Sequence, residues 1–391
     1  MSQVSLSDDG VAALDAYLRQ AIEATYIPGM VAMVADAERV LYSGAFGKQD
    51  VARDIAMRPD TIFRIASMTK PITSVAVMML IEAGAVALDD PISRYLVELG
   101  GKQVFETFNA SDKSYTARPA TGEITVRHLL THTSGLGYSW SDEILFQLVG
   151  SASAGQSVAS FPLLHDPGRR WTYGESTRVL GRLVEVVSGE PLDVFMRERI
   201  FTPLGMNDAG HALPRDKNSR LATSHQKDGV GLVESPNPDG DLSSTVRGDG
   251  GLFSTAVDYV KFMQMLLRGG LAPDGTRLLS EASVRLMGQN QIGDLRVELQ
   301  RPANLQRSRP YPLGAGRDTF GLGFQITGPH GDDRVRSPGS ISWAGIYNTQ
   351  FWIDAAKGIG GMLLMQYLPF YDEVAIETLQ GFERQVYSQI D

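Results

Sequence analysis

Apolar residues recur at helical spacing along much of the chain and predict amphipathic helices. The first runs over residues 5–24, where Val11, Leu14, Leu18 and Ile22 share one face. A short helix is expected after Asp89-Asp90-Pro91. The same spacing predicts further helices at residues 126–130, 178–188, 192–200, 255–267, 280–287 and 373–387.

Short apolar runs bounded by glycine and turn residues predict strands near the two ends of the chain. Residues 31–35 and 40–46 read as an antiparallel hairpin, and residues 321–326, 350–353 and 361–366 read as strands. Polar, small-residue stretches at 100–122 and 150–160 predict loops, and residues 205–247 are expected to be irregular. The Arg- and Pro-rich stretch 289–320 predicts a long surface excursion that suits a flap.

This distribution predicts an α/β (α+β) fold in one domain spanning residues 1–391. We expect one antiparallel sheet built from both chain ends and packed by the N- and C-terminal helices. Residues 1–62 and 320–391 would form this sheet lobe, and residues 63–319 an inserted, mostly helical lobe. A cleft between the lobes is the expected place for a functional site.

The stretch 63–84 combines a long apolar run with two chemically reactive residues. Pro71 sits where a first helical turn tolerates proline, and Gly84 suits a helix end. The run between them has no polar stripe wide enough for a solvated face, so we predict a helix buried on most sides. Ser67 and Lys70, three residues apart, would share one face of its first turn.

A serine hydroxyl becomes a good nucleophile only when a base takes its proton. Lys70 can act as that base if burial or a positive neighbour lowers its pKa and keeps it neutral. A chance match is the alternative, because Ser-x-x-Lys also occurs at Ser224 and Lys227. That second copy lies in a polar stretch with no predicted helix, and we expect it to be inert.

Two other segments carry candidate chemistry. Tyr173 follows Pro167-Gly168 on a predicted loop and could act as a general base beside a cationic lysine, or simply pack. Trp343 would lie on a strand near the sheet edge, where small neighbours admit a substrate, or it could be a core tryptophan. His128 and His132 have helical metal-ligand spacing but no convincing third ligand, so we expect no metal.

Composition excludes several functional classes. The 391 residues carry a net charge of −9 and no basic stripe, so a nucleic-acid partner is not expected. No apolar run reaches the roughly 20 residues of a membrane span, and no signal peptide is visible. Cysteine is absent, which excludes disulfides and thiolate chemistry and favours a cytoplasmic location. Nucleophile-elbow, Walker and dinucleotide motifs are missing, and we expect no cofactor.

Five segments in order resemble the serine β-lactamase and penicillin-binding-protein superfamily, above all the family VIII carboxylesterases related to class C β-lactamases. The resemblance spans roughly residues 10–390. Its segments are Ser67-Met68-Thr69-Lys70, the run 129–136, the loop from Pro167-Gly168 to Tyr173, the run 250–255, and Ser342-Trp343-Ala344-Gly345. Each is weak alone, but five in order are specific.

The resemblance implies a role for each matching residue. Ser67 would be the nucleophile, Lys70 its partner, and Tyr173 the tyrosine of the family's Tyr-x-Asn motif. Trp343, Ala344 and Gly345 match the substrate-binding third motif, Lys-Thr-Gly in β-lactamases and Trp-Gly-Gly in many family VIII esterases. The oxyanion hole would use the backbone N–H groups of Ser67 and Ile346.

Two departures bear on the substrate. Glu175 stands where the lactamases have asparagine, and Trp343 stands where they have a lysine that holds the substrate carboxylate. Tryptophan offers an apolar face and one N–H donor but no positive charge. Glu175 would add negative charge, so both changes favour neutral esters over anionic β-lactams.

We therefore expect a serine carboxylesterase that hydrolyses neutral, short-chain esters through an acyl-enzyme on Ser67. The alternatives are a β-lactamase or D-Ala-D-Ala peptidase, or an acyltransferase or amide hydrolase on the same fold. A non-catalytic sensor of penicillin-binding descent is a further alternative, which the intact Ser67, Lys70 and Tyr173 disfavour. The sequence does not identify the general base of each step, the natural substrate or the oligomeric state.

Overall fold

A computed structural model describes residues 4–149, 158–229, 231–235, 246–329 and 334–390. Apart from the helix predicted at 63–84, the longest helices begin and end close to the predicted positions. The helices are α1 (Asp8–Ala24), α2 (Thr69–Glu82), α3 (Val126–Leu130), α4 (Glu143–Val149), α5 (Ser176–Ser188), α6 (Leu192–Met196), α7 (Thr202–Leu204), α8 (Ala256–Leu267), α9 (Glu281–Met287) and α10 (Glu373–Gln389).

The strands come mainly from the two ends of the chain. They are β1 (Gly29–Asp36), β2 (Val40–Asp50), β3 (Ile55–Ala56), β4 (Ile62–Arg64), β5 (Gln103–Phe108), β6 (Tyr115–Pro119), β7 (His225–Asp228), β8 (Gly231–Glu234), β9 (Phe253–Thr255), β10 (Thr319–Phe320), β11 (Gln325–Ile326), β12 (Ile341–Gly345), β13 (Thr349–Asp354), β14 (Ile359–Leu364) and β15 (Tyr367–Leu368).

One eight-stranded antiparallel sheet organises the fold, in the order β10-β11-β12-β13-β14-β1-β2-β3. Its two faces are covered by different layers, which explains why β1 is apolar and buried from Gly29 to Ala35. Val31 and Met33 pack into the large core shared with α2 and α8, whereas Ala32 and Val34 pack against α1 and α10. The predicted antiparallel sheet with flanking terminal helices is therefore confirmed.

The predicted loop at 100–122 is wrong, because β5 and β6 form an antiparallel hairpin there. Most of its side chains are exposed or half-buried on both faces, so the sequence shows no apolar alternation. The stretch 205–247 is also less irregular than expected, since it contains a 3₁₀ turn, Arg215–Arg220, and the hairpin of β7 and β8. Most of the predicted loop 150–160 lies outside the described residues.

Two predicted elements are interrupted. Of the strand expected at 321–326, only Gln325–Ile326 form a strand, β11, because the preceding residues form the turn from β10. In this turn Gly321 approaches Met287 so closely that a Cβ would lie 2.0 Å from its carbonyl oxygen. The helix expected at 192–200 continues from α6 as a π-helical turn, Arg197–Phe201. Glycine packing and π turns leave no periodic signal in the sequence.

Within the described residues, no helix is both long and apolar enough to cross a bilayer. The division of the chain at residues 63 and 320, the cytoplasmic location and the lack of a nucleic-acid partner stay predictions.

Candidate active site

The serine of the central motif lies on a tight turn between a strand and a helix. The predicted helix over 63–84 is shorter than expected, because residues 62–64 form β4, which pairs with β9. A 3₁₀ turn, Ala66–Met68, follows and leads into α2. Ala66 adopts φ of +44°, a conformation that non-glycine residues rarely adopt, and Ser67 therefore projects into a cavity.

Lys70 lies in the first turn of α2 and is 2% exposed. Its Nζ is 3.0 Å from Ser67 Oγ and donates a hydrogen bond to the carbonyl oxygen of Asp249 at 2.7 Å. Burial lowers the Lys70 pKa to about 7, although the negative charge of Asp249 opposes the shift. Close to neutral pH the amine is therefore partly uncharged and in reach of the serine hydroxyl, as the spacing predicted.

Tyr173 contacts the same hydroxyl from a distant segment of the chain. Its loop is fixed by a hydrogen bond from the Thr172 N–H to the His132 carbonyl and by Gly174, where a Cβ would lie 2.0 Å from the Leu136 oxygen. Burial raises the pKa of Tyr173 above its usual value, and a hydrogen bond with Ser67 opposes that shift. The Lys70 ammonium lies 4.8 Å from the Tyr173 ring centroid. Tyr173 is thus a buried, protonated phenol at the site.

The third motif lies on β12, third from the edge of the sheet. A Cβ on Gly345 would lie 2.3 Å from the Ile65 carbonyl, so the absence of a side chain lets β12 approach the serine turn. Trp343 is 7% exposed and packs against Tyr173, with ring centroids 5.1 Å apart. Trp343, Ala344 and Ile346 line the cavity with Ser67, so the tryptophan is at once buried and part of the site.

The cavity has a volume of about 490 Å³ and is walled by aromatic side chains. Trp140 stacks between Tyr138 and Tyr311, at centroid distances of 5.6 Å each. Tyr311 comes from the stretch 289–320, which was expected to be a surface excursion, yet its side chain is only 2% exposed and packs against Tyr173. This stretch therefore contributes directly to the cavity wall.

A buried charge network behind Lys70 was not predicted. Asp249 accepts a hydrogen bond from Tyr138 Oη at 2.7 Å and lies 3.4 Å from the Arg178 guanidinium. Burial favours the neutral acid, but Arg178, Lys70 and Arg247 outweigh it and hold the Asp249 pKa at about 2. Only the helical three-residue spacing of Glu175 and Arg178 signals part of this network in the sequence.

Glu175 does not add the uncompensated negative charge that the sequence suggested. Its carboxylate pairs with Arg178 at 2.7 Å, and the residue is 4% exposed. The position that carries asparagine in the lactamases therefore carries a neutralised ion pair in this chain.

The two histidines with metal-ligand spacing do not face a common site. His128 accepts a hydrogen bond from the Thr125 N–H and caps α3. His132 packs among aromatic rings, nearly parallel to Trp343 at 6.1 Å, and burial lowers its pKa to about 3. No cluster of three potential metal ligands occurs among the described residues.

The second Ser-x-x-Lys copy has a different geometry. Lys227 lies on β7, and its ammonium binds Tyr26 Oη at 2.6 Å and Asp372 at 3.2 Å. The hydrogen bond to Tyr26 helps to raise the pKa of Lys227 above its usual value. Lys227 therefore stays protonated and cannot accept a proton from Ser224. Lys70 differs, because its lowered pKa leaves part of the amine neutral close to pH 7.

Comparison with known proteins agrees with this geometry. The family model described as Beta-lactamase matches residues 14–383. The chain belongs to the β-lactamase family. The resemblance inferred from the five motifs is therefore confirmed, and the fold follows from it.

Relatives of this β-lactamase family member include both transferases and esterases. The chain is 32% identical over 413 residues to monacolin J acid methylbutanoyltransferase of Aspergillus terreus, covering 97% of this chain and 96% of the relative. It is 30% identical over 396 residues to esterase EstB of Burkholderia gladioli, covering 90% and 89%. The unliganded simvastatin synthase LovD of A. terreus superposes with a TM-score of 0.84 at 28% identity, covering 98% and 99%.

Proposed function

We propose that the protein is a serine carboxylesterase that cleaves short-chain carboxylic esters through an acyl-enzyme on Ser67. The observation that carries this proposal is the buried Lys70 amine, 3.0 Å from the Ser67 hydroxyl at the edge of the cavity. A base with a pKa of about 7 can accept a proton at neutral pH and release it later in the cycle. The esterase relative supports the same chemistry.

In the acylation step, Ser67 Oγ attacks the ester carbonyl while its proton moves to neutral Lys70. Tyr173, a protonated phenol, donates its proton to the departing alkoxide as the C–O bond breaks, and Lys70 then restores the phenol. The direction of the two pKa shifts supports this division of roles, because burial lowers the pKa of Lys70 and raises that of Tyr173. Water attacks the acyl-enzyme in a second step with the proton movements reversed.

We further propose that the N–H groups of Ser67 and Ile346 form the oxyanion hole. Ile346 directly follows β12, which the Gly345–Ile65 approach holds against the serine turn. In other enzymes, one such donor lowers the barrier by about 3–4 kcal/mol. Trp343, Ala344 and Gly345 would position the substrate beside this hole.

Acyl transfer to an organic alcohol is the second candidate function. It uses the same acyl-enzyme, but an acceptor hydroxyl replaces water in the second step. The transferase relative and the 0.84 TM-score to LovD favour it, and the aromatic wall of Trp140 and Tyr311 suits an organic acceptor. Product analysis with added alcohols measures the ratio of transfer to hydrolysis directly.

β-Lactamase or peptidase activity has less support, since Trp343 replaces the lysine of the lactamase motif. Comparing nitrocefin with 4-nitrophenyl butyrate would measure this preference, and we expect the ester to be the better substrate by kcat/KM.

The experiment that tests the proposal compares Ser67→Ala with Ser224→Ala on 4-nitrophenyl butyrate. We expect Ser67→Ala to abolish turnover and Ser224→Ala to retain it. The reason is that Ser67 lies within hydrogen-bond reach of a lysine whose pKa is lowered, whereas the lysine of the Ser224 motif has a raised pKa. Wild-type turnover by Ser67→Ala would refute the assignment.

A further inference from the structure

The cavity has the opposite charge to the protein as a whole. The chain carries a net charge of −9, but six arginines and four carboxylates line the described part of the cavity. Two of these arginines form close pairs within it: Arg334 lies 2.7 Å from Asp318, and Arg336 Nε lies 2.9 Å from Glu383. The positive excess therefore belongs to the remaining cavity residues, which include those around the serine turn.

Arg247 lines the cavity and shares its carboxylate partner with other cations. The Nε of Arg247 lies 3.9 Å from the Asp249 carboxylate. The same carboxylate accepts a hydrogen bond from Tyr138 and interacts with the positive charges of Arg178 and Lys70. Arg178 has a carboxylate of its own, Glu175, at 2.7 Å. The Arg247 Nε is buried and makes no hydrogen bond among the described residues. A guanidinium that lines a cavity and shares its carboxylate partner with other cations is a group that an anionic ligand can pair with.

Arg247 also stands beside the nucleophile. A Cβ placed on Gly250 would lie 3.4 Å from Arg247 Nη2 and 3.8 Å from the carbonyl oxygen of Ala66. The guanidinium and the serine turn are therefore separated by little more than this one glycine. A group bound by Arg247 can belong to the same small molecule whose carbonyl reaches Ser67.

We propose that Arg247 binds a carboxylate on the substrate, so that the preferred ester is anionic. This inference rests on the proposed esterase function and specifies its substrate class. Arg247 would provide a positive charge for the substrate, which the uncharged Trp343 does not. The expectation of neutral esters rested on the missing lysine at Trp343 and on a negative charge from Glu175, and Arg178 offsets the second of these.

The test uses 4-(butanoyloxy)benzoate and its methyl ester, in which one added methyl group removes the negative charge. Hydrolysis is followed at pH 8.5, where Lys70 is mainly neutral, and kcat/KM is divided by each ester's hydroxide-catalysed rate. We expect the wild type to prefer the anionic ester and the preference to weaken as salt is added. Arg247→Gln should lower kcat/KM for the anionic ester by about tenfold to a hundredfold, mainly through KM.

The matched control is Arg94→Gln, which changes the net charge equally on an exposed helical turn outside the cavity. It should leave the ratio of the two esters unchanged, whereas Arg247→Gln should lower kcat/KM for the anionic ester about tenfold more than for the neutral ester. A wild type without anionic preference, or an equal loss on both esters in Arg247→Gln, overturns the inference while Ser67-dependent hydrolysis still supports the esterase function. Absence of Ser67-dependent hydrolysis of either ester overturns both.

Discussion

Replacing Asp249 with asparagine should shift the pH dependence of catalysis to lower pH. Neutral Lys70 is the proposed base, so kcat/KM should fall tenfold per pH unit below a pKa of about 7. The Asp249 carboxylate stabilises the lysine ammonium and raises this pKa. Asparagine keeps an oxygen that can accept the Tyr138 hydrogen bond but removes the negative charge. The acidic limb of the kcat/KM profile should therefore move to lower pH.

The structure sets a lower limit on this shift. Lys70 Nζ lies 2.7 Å from the Asp249 carbonyl oxygen, and a residue's carboxylate lies within about 5 Å of its own carbonyl. The two charges are therefore at most about 8 Å apart. With an effective dielectric constant of about 20, their attraction is at least about 2 kcal/mol, which corresponds to roughly 1.5 pH units. The limb should move from about 7 to about 5.5 or lower.

The assay is kcat/KM for 4-nitrophenyl butyrate from pH 5 to 9, with thermal unfolding measured to confirm that the variant is folded. Glu175→Gln is the matched comparison, because the Glu175 carboxylate also raises the Lys70 pKa but contributes less than Asp249 does. Glu175→Gln should also move the acidic limb of the kcat/KM profile to lower pH, but by less than Asp249→Asn does. An unchanged limb, or a limb that moves to higher pH in Asp249→Asn, would refute Lys70 as the titrating base.

Three further substitutions test the site. Lys70→Met should raise the free energy of unfolding by about 2–4 kcal/mol at pH 7, because the Lys70 pKa is about 7 in the folded protein and 10.5 in the unfolded chain. Denaturant titrations should show that this gain vanishes above about pH 10.5, where the lysine is neutral in both states. Tyr173→Phe should lower kcat by roughly 100- to 10,000-fold with little change in KM in steady-state assays, because the leaving alkoxide loses its proton donor. Gly345→Ala should destabilise the fold by about 1–3 kcal/mol and reduce kcat, since its Cβ would meet the Ile65 oxygen at 2.3 Å, whereas Gly231→Ala, with open space around it, should change neither in the same measurements.

Local signals made the sheet and the centre of the site predictable. β1 and α10 carry long apolar patterns, and Ser67 and Lys70 are held together by three residues of chain. Tyr173 and Trp343 were found through motif order, because no local pattern places two distant segments beside one serine.

The charge network and the cavity wall depend on contacts that the sequence does not display. Asp249 and Arg178 are 71 residues apart in the sequence but lie in contact in the structure. Nothing in the sequence distinguishes them from other charged residues of a loop and a helix. Tyr311 lies in a polar stretch without periodicity, so its burial against Tyr173 follows only from the tertiary structure. These contacts reversed one inference about charge: the negative Glu175 proved to be half of an ion pair.

The most direct test of the proposed nucleophile is to trap the covalent intermediate. The protein is incubated briefly with 4-nitrophenyl butyrate, quenched with acid, digested and analysed by mass spectrometry. We predict a butanoyl group, an addition of about 70 Da by the chemistry of an acyl-enzyme, on the peptide containing Ser67 and none on the peptide containing Ser224. A butanoyl group on another residue that turns over, or hydrolysis that proceeds without any acylated Ser67, would contradict the assignment.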